Sequence, residues 1–240
     1  MSTYVYGIAH ASHPSMPHHT DGIGEPPHPV RVLRAGDLAA IVSDAPDNLR
    51  PKRRDLLAHQ ACSPRPAKAQ SCCRCGSATR PDDEAVTAML TEHAAHYLQR
   101  LQDLDGMAEY NIKATPNEEA VLRLVMAQNE DIRALAEETR QAGGGSQEEK
   151  LELGEMVATA IQAQEDHDAA QLRPELESAA AAVSVGQQST GWLANLSFLV
   201  ERDNADRFLA AVDEVRHAHP HLELRVHGPL PPYSFVEPPT

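Results

Sequence analysis

Several short stretches of the chain alternate apolar residues with polar or small ones, a pattern that predicts β-strands. In TYVYGIAH the side chains of Tyr4, Tyr6 and Ile8 share one face, so we predict a strand that is buried on at least one side. The stretch VRVLRAGDLAAIVSDA predicts two short strands joined in a hairpin around Ala35-Gly36-Asp37. Further strands are predicted at MAEYNIKATP, ANLSFLV and HLELRV.

Elsewhere the apolar residues recur every three or four positions, which predicts helices. The clearest helix begins at the acidic residues 82–84 and ends at Gly106. Its inward-facing positions are predicted to be Val86, Met89, Leu90, Ala94, Tyr97, Leu98, Leu101 and Leu104. A second helical stretch covers residues 117–141. A third covers residues 148–183, with a kink or break near Arg173-Pro174.

The pattern of the last third of the chain predicts a strand, a helix and a second strand, in that order. The helix lies in RDNADRFLAAVDEVRHAHP, and its inward-facing residues are predicted to be Phe208, Leu209, Val212 and Val215. We expect this unit to join the strand at residues 107–115 in a split βαβ sheet. The final stretch, GPLPPYSFVEPPT, predicts an extended tail over residues 229–240, because proline cannot donate to a sheet ladder.

Composition narrows the classes of function. The chain has 240 residues, 41% of them hydrophobic, so a sizeable core can be buried. It has no apolar run long enough to span a membrane. Its first residues also lack the basic segment followed by an apolar segment that is typical of a secretory signal. We therefore predict a cytoplasmic protein with no membrane partner. The net charge of −14 repels phosphate backbones, so nucleic acid is not an expected partner.

One cluster of cations stands out against this acidic background. It lies in RPKRRDLL, where a short helix is predicted to begin at about residue 52, and comprises Arg50, Lys52, Arg53 and Arg54. Cations are unfavourable at a helix N-terminus, so the cluster fits a solvated first turn. The alternative is a docking patch for an acidic partner surface. Both interpretations remain open at this stage.

All the cysteines fall in one segment, ACSPRPAKAQSCCRCGSATRP, residues 61–81. The candidate metal ligands there are His59, Cys62, Cys72, Cys73 and Cys75. A structural zinc site normally uses two spaced pairs of ligands, whereas this segment offers a single cluster. We therefore predict no metal site, with a zinc-stabilised regulatory or adaptor domain as the alternative.

The same segment has neither helical nor strand periodicity, although it interrupts a well-patterned chain. Its codons, read one frame over, allow the text LLPMRFG from Ser71 to Ala78. That text is typical of a strand, and the α/β pattern of the chain predicts a strand at this position. We therefore interpret residues 61–81 as a compensated frameshift and assign them no function.

Five stretches together resemble the gas vesicle protein family GvpF/GvpL. They are YVYGIAHA, PVRVLRAGDLAAIVSDAP, LRPKRRDLLAHQ, NLSFLVERDNADRF and GPLPPYSFVE, and the resemblance covers nearly the whole chain. The family carries VLPMRFG where this chain has SCCRCGSA, which is close to the text of the shifted frame.

The resemblance implies an α+β fold with two small α/β domains and an extended C-terminal tail. A ferredoxin-like N-terminal domain is expected over residues 1–105, an α+β domain with a split βαβ sheet and several helices over residues 106–228, and a proline-rich tail over residues 229–240. It also implies an accessory or minor structural protein of gas vesicle assembly, with the small shell-forming protein and other accessory gas vesicle proteins as partners. Gas vesicles are gas-filled protein shells in the cytoplasm that confer buoyancy.

The residues themselves agree with a protein that acts by contact. No phosphate-binding loop, nucleophile elbow or zinc-protease motif occurs, so we predict no enzyme, no cofactor and no small-molecule substrate. An unrecognised enzyme would be supported by analogy of fold alone. The tail offers Leu230, Tyr233 and Phe235 among rigid prolines, and it can dock on its own domain or on a partner.

Overall fold

The structure, a computed structural model, describes residues 2–12, 21–46, 82–187, 189 and 191–236. The chain forms two compact units. The first comprises Met1–Glu109 together with Pro229–Thr240, and the second comprises Tyr110–Gly228. The second unit is therefore inserted into the sequence of the first.

The first unit contains a three-stranded antiparallel sheet in the order β1-β3-β2. The strands are β1 (Thr3–His10), β2 (Arg31–Ala35) and β3 (Leu38–Asp44). The predicted hairpin is present: Ala35 pairs with Leu38, and the turn between them places Gly36 at a φ of +58°, where a Cβ would be strained. The central strand β3 is buried along nearly its whole length, as expected of a strand flanked on both sides.

The predicted helix after residue 82 packs on this sheet but is divided into α1 (Asp83–Glu92) and α2 (Ala94–Asp103). Asp82 caps α1 by accepting a hydrogen bond from the amide of Ala85. The predicted inward stripe is confirmed, since Val86, Leu90, Tyr97, Leu101 and Leu104 are buried. No proline or glycine marks the division at His93, so the pattern did not predict it.

The second sheet has four strands in the order β5-β6-β4-β7. They are β4 (Met107–Pro116), β5 (Ala182–Val185), β6 (Ala194–Glu201) and β7 (Leu222–Leu230). Helix α6 (Ala205–Ala218) connects β6 to β7, and β4 lies between those two strands. The predicted split βαβ arrangement and the α+β fold class are thus confirmed.

Three further helices lie between β4 and β5: α3 (Glu118–Gln128), α4 (Glu130–Gln141) and α5 (Gln147–Glu177). The stretch predicted as one helix over residues 117–141 is two, because Asn129 adopts an extended conformation. Residues 143–145 form a tight connection in which all three glycines have positive φ. Ser146 and Glu149 then form a capping box that starts α5.

Of the two alternatives at Arg173-Pro174, the break is wrong, and so is the helical end predicted for residues 148–183. Helix α5 is not broken at Pro174 but continues to Glu177, with buried Leu172 and Leu176 on either side of the proline. Residues 182 and 183, expected to be helical, begin strand β5 (Ala182–Val185), which pairs with β6. Pairing on the edge of a sheet outweighs the helix preference of an alanine run.

Strand β7 extends to Leu230, two residues further than the prolines predicted. It lies at an edge of the sheet, where the missing amide proton of Pro229 can be tolerated. A short 3₁₀ turn over Tyr233–Phe235 follows. Leu209, predicted to face inwards on α6, is exposed, whereas Phe208, Val212 and Val215 are buried as predicted.

Candidate functional site

The described part of the C-terminal tail is anchored on its own unit. Glu109, near the start of β4, is 4% exposed, and its carboxylate accepts two hydrogen bonds from Ser234. The backbone amide of Ser234 donates to Oε2 at 2.9 Å and its hydroxyl donates to Oε1 at 2.7 Å. Val236 packs against the apolar core of the first unit. The tail therefore docks in cis at these two points.

The predicted interaction residues fall into two groups. In the tail, Leu230, Tyr233 and Phe235 are each half-buried, so part of each side chain remains accessible. The basic cluster and the cysteine segment lie outside the described residues, and their predicted roles stay predictions. The residues concerned are Arg50, Lys52, Arg53, Arg54, His59, Cys62, Cys72, Cys73 and Cys75.

An ion-pair network ties the first turn of α1 to the sheet of the first unit. Arg31 contacts Asp44 at 2.8 Å and Asp83 at 2.7 Å, and the hydroxyl of Thr3 donates to Asp83. The hydrogen bond from Arg31 holds the pKa of Asp83 below its ordinary value of 3.8, against the opposing effect of partial burial. The network is polar, half-exposed and fully paired within itself, which fits a structural role.

We expect this network to make stability depend on pH. The pKa of Asp83 is lower in the folded than in the unfolded chain, so its contribution is fully present above pH 3.8 and is lost as the pH falls through the folded pKa. Because both side chains are more than a third exposed, the contribution is no more than about 1 kcal/mol. Asp83→Asn should lower the melting temperature at neutral pH, and the difference from the wild type should shrink as the pH falls below 3.8.

Asp37→Asn is the matched control for this measurement. It removes the same charge from the exposed β2–β3 turn. Its effect on the melting temperature should be smaller at every pH. A difference between Asp83→Asn and the wild type that grows towards acid pH would contradict the assignment.

The second unit carries a cleft of about 530 Å³ beside α5. Its acidic wall is formed by Glu165 and Asp166 of α5. Trp192, the single tryptophan of the chain, also lines the cleft and is 36% exposed. The Nζ of Lys113 sits 3.7 Å from the centre of the indole ring, so one face of the ring already holds a cation.

The chemistry of the cleft suits a cationic, extended ligand. Two carboxylates attract lysine or arginine, and an aromatic ring supplies both apolar area and a surface for a cation. This cleft was not predicted from the sequence. Trp192 follows a loop, and the two acidic residues lie more than twenty positions earlier on a helix rich in acidic residues, so only the fold brings them together.

A second polar cluster in this unit contains Asp168, His219 and His221. One ligand-type atom from each side chain lies within 4.8 Å of the others, and Asp168 and His221 are buried. The sequence analysis predicted no metal ligands here. The available signal was the His-Pro-His spacing before a strand, but its carboxylate partner is more than fifty positions away.

Comparisons with known proteins connect the chain to a biological process. The family model described as gas vesicle synthesis protein GvpL/GvpF matches residues 2–237. This chain belongs to the GvpL/GvpF family. It is 55% identical to gas vesicle protein F of Streptomyces sp. (strain CB03234) over 239 residues, which cover 99% of this chain and 100% of the relative. The resemblance stated from the sequence is therefore confirmed.

Two more distant matches extend over similar lengths. Gas vesicle protein L of the same Streptomyces strain is 26% identical, with 97% of this chain and 92% of the relative covered. The crystal structure of GvpF from Anabaena sp. PCC7120 superposes with a TM-score of 0.70 at 20% identity, over 100% of this chain and 99% of that one. At that identity the structural match establishes the shared fold.

Membership of the GvpL/GvpF family supports a role in gas vesicle formation. The family is not a known family of enzymes. Within the described part of this GvpL/GvpF protein, none of the helices has the length and apolar character required to cross a membrane.

Proposed function

We propose that this GvpL/GvpF protein is an accessory or minor structural component of gas vesicle assembly. It acts through contacts with the shell-forming protein and with other gas vesicle proteins, in the cytoplasm and at the vesicle. The observation that carries the proposal is the family match across residues 2–237. The proposal assigns the chain no catalytic role, no cofactor and no small-molecule substrate.

Within this role, the cleft of the second unit receives a basic, extended segment of another gas vesicle protein. The acidic wall of Glu165 and Asp166 and the ring of Trp192 support this choice of occupant, because they complement positive charge. The net charge of −14 favours the approach of such a partner at low salt. The half-buried residues of the tail form a second candidate contact surface, since Ser234 and Val236 fix the tail in place.

The first experiment tests the role. The tagged full-length chain, expressed with the other gas vesicle proteins of its host, should recover the shell-forming subunit or an accessory gas vesicle protein at physiological salt. Clean deletion of its gene should reduce flotation. Recovery of none of these proteins, together with normal flotation after deletion with no close copy left, would overturn the proposal.

The second experiment tests the cleft. The double variant Glu165→Lys, Asp166→Lys should weaken binding of the recovered partner by about tenfold or more, because two attractive contacts become repulsive. The effect should shrink as salt is raised. Emission from Trp192 offers a direct measurement, since the chain has no other tryptophan and a tryptophan-free basic peptide from the partner adds none.

The matched control is the double variant Glu152→Lys, Glu155→Lys. It makes the same change of charge on the same helix at exposed positions away from the cleft. Binding should be reduced far less by this variant. Equal loss in the two variants would show a general charge effect and would remove the cleft from the proposal.

A further inference from the structure

The cluster in the second unit combines two imidazoles with a buried carboxylate. Asp168 lies on α5 and is 1% exposed. His219 follows the end of α6, and His221 precedes β7 with only Pro220 between them. We propose that Asp168, His219 and His221 form a binding site for a divalent transition-metal ion, with zinc as the ion to be tested. The inference is independent of the proposed assembly role.

The spacing of the donor atoms suits such an ion. The Nε2 atom of His221 lies 2.7 Å from Oδ2 of Asp168, and Nδ1 of His219 lies 3.8 Å from Oδ1 of Asp168. Zinc binds nitrogen and oxygen ligands at about 2.0–2.1 Å, which in a tetrahedral site separates neighbouring ligand atoms by about 3.3 Å. The 2.7 Å contact is a hydrogen bond, so an ion has to displace the Nε2 proton of His221 and move the two atoms apart, whereas Nδ1 of His219 has to come closer to Oδ1 of Asp168.

The hydrogen bond of His219 to Glu175 gives the strongest argument. The Nε2 atom of His219 lies 3.0 Å from Oε1 and 3.1 Å from Oε2 of Glu175, one of several carboxylates on α5. A neutral imidazole that donates its Nε2 proton to Glu175 presents the lone pair of Nδ1 on its other side. In that tautomer the lone pair lies on the side of Asp168, whose Oδ1 is 3.8 Å from Nδ1. A divalent cation placed between Nδ1 of His219 and Oδ1 of Asp168 would be coordinated by both atoms.

The surrounding groups resemble the outer partners of known metal ligands. A histidine ligand commonly donates its second ring proton to a carboxylate, and ligating carboxylates are themselves hydrogen-bonded. Glu175 is the carboxylate partner of His219. Gln164 hydrogen-bonds the proposed carboxylate ligand, because its side-chain amide donates to Oδ1 of Asp168 at 2.9 Å. With three protein ligands, a fourth coordination position stays open for water or another donor.

A purely structural role for the cluster is the competing outcome. In that case the hydrogen bond between His221 and Asp168 fastens α5 to the start of β7 and no ion binds. The two outcomes differ in a measurable way, since hydrogen bonding alone gives no saturable uptake of zinc.

Calorimetric titration of the untagged, chelator-treated full chain with zinc chloride is the experiment. The cysteines are first replaced by serine, so that Cys62, Cys72, Cys73 and Cys75 cannot contribute. One zinc ion per chain should bind. His219→Gln should weaken that binding at least tenfold, and Glu175→Gln should weaken it by about 10- to 100-fold. The exposed neighbour His217 provides the control, and His217→Gln should leave the affinity unchanged.

Cobalt(II) then identifies the ligands by spectroscopy, both in the chain with its cysteines intact and in the cysteine-free chain, where thiolates cannot contribute to the bands. Nitrogen and oxygen ligands give visible ligand-field bands, and these bands should disappear in His219→Gln and in Asp168→Asn. Because Asp168 is buried and its variant can fail to fold, His219, whose side chain is 13% exposed, keeps the test decisive. The absence of saturable zinc binding, or binding that His219→Gln leaves unchanged, overturns the proposal.

Discussion

Replacing Phe208 with alanine is expected to lower the free energy of unfolding by about 3–5 kcal/mol. Phe208 is fully buried on α6, and its ring lies 5.4 Å from that of Tyr110 and 5.3 Å from that of Phe198. It therefore joins the crossover helix to strands β4 and β6 of the second unit. Truncation removes the buried ring and leaves a cavity that rigid strands cannot close. Denaturant unfolding followed by circular dichroism measures the change.

The neighbouring residue supplies the control. Leu209 lies next along the same helix but is 37% exposed, so Leu209→Ala should cost far less, about 1 kcal/mol or below. Both residues were predicted to face inwards from the sequence. Equal costs for the two variants would mean that the structure places α6 in the wrong rotation about its axis.

Replacing Glu109 with alanine should have the second largest effect, a loss of about 2–4 kcal/mol of folding free energy. The buried carboxylate accepts two hydrogen bonds from Ser234, and bonds to a charged group are each worth about 1.5–3 kcal/mol. Their loss also frees the tail, so we expect faster proteolytic removal of the residues after Pro231. Denaturant unfolding curves measure the loss of folding free energy. Limited proteolysis followed by mass spectrometry measures the rate at which the tail is cleaved.

Two variants show whether the loss acts through the tail. Ser234→Ala removes one of the two hydrogen bonds and should cost roughly half as much as Glu109→Ala. In a chain truncated after Pro232, the further substitution Glu109→Gln should be neutral or stabilising, since the carboxylate then has no tail donors to satisfy. A tail that is cleaved equally fast in the wild type and in Glu109→Ala would contradict the anchoring.

Local patterns predicted those elements whose own residues carry the signal. The hairpin at Gly36 and the apolar stripe of α1 and α2 depend on contacts that periodicity reports directly. The split βαβ unit followed from the order of strands and the handedness of crossovers. The family resemblance added what no local pattern contains, which is the process in which the protein takes part.

The failures share one physical cause, which is that distant partners override local preference. Residues 182 and 183 end an alanine-rich run that was predicted to be helical, yet pairing with β6 makes them part of a strand. Asn129 divides a continuous apolar periodicity by adopting an extended conformation. Leu209 satisfies the helical period but lies at the margin of the buried face.

The candidate sites were harder to predict than the fold for the same reason. The acidic wall of the cleft and Trp192 are close only after α5 and the β5–β6 connection have folded. Asp168 meets His221 across fifty-three positions of sequence. Single residues of these kinds are common on helices and loops, so none of them marks a site before the fold is known.

The insertion of one unit into the other affects the order in which the protein can be made. Residues 110–228 emerge from the ribosome as one uninterrupted piece, and they hold all the chain of the second unit. The first unit begins earlier but receives Ser234 and Val236 only after that piece is complete. Domains usually fold in order from the amino terminus during synthesis. In this chain we expect the second unit to complete its folding before the first. Until translation has nearly finished, the nascent first unit therefore lacks the tail contacts to the Glu109 carboxylate and to part of its apolar core.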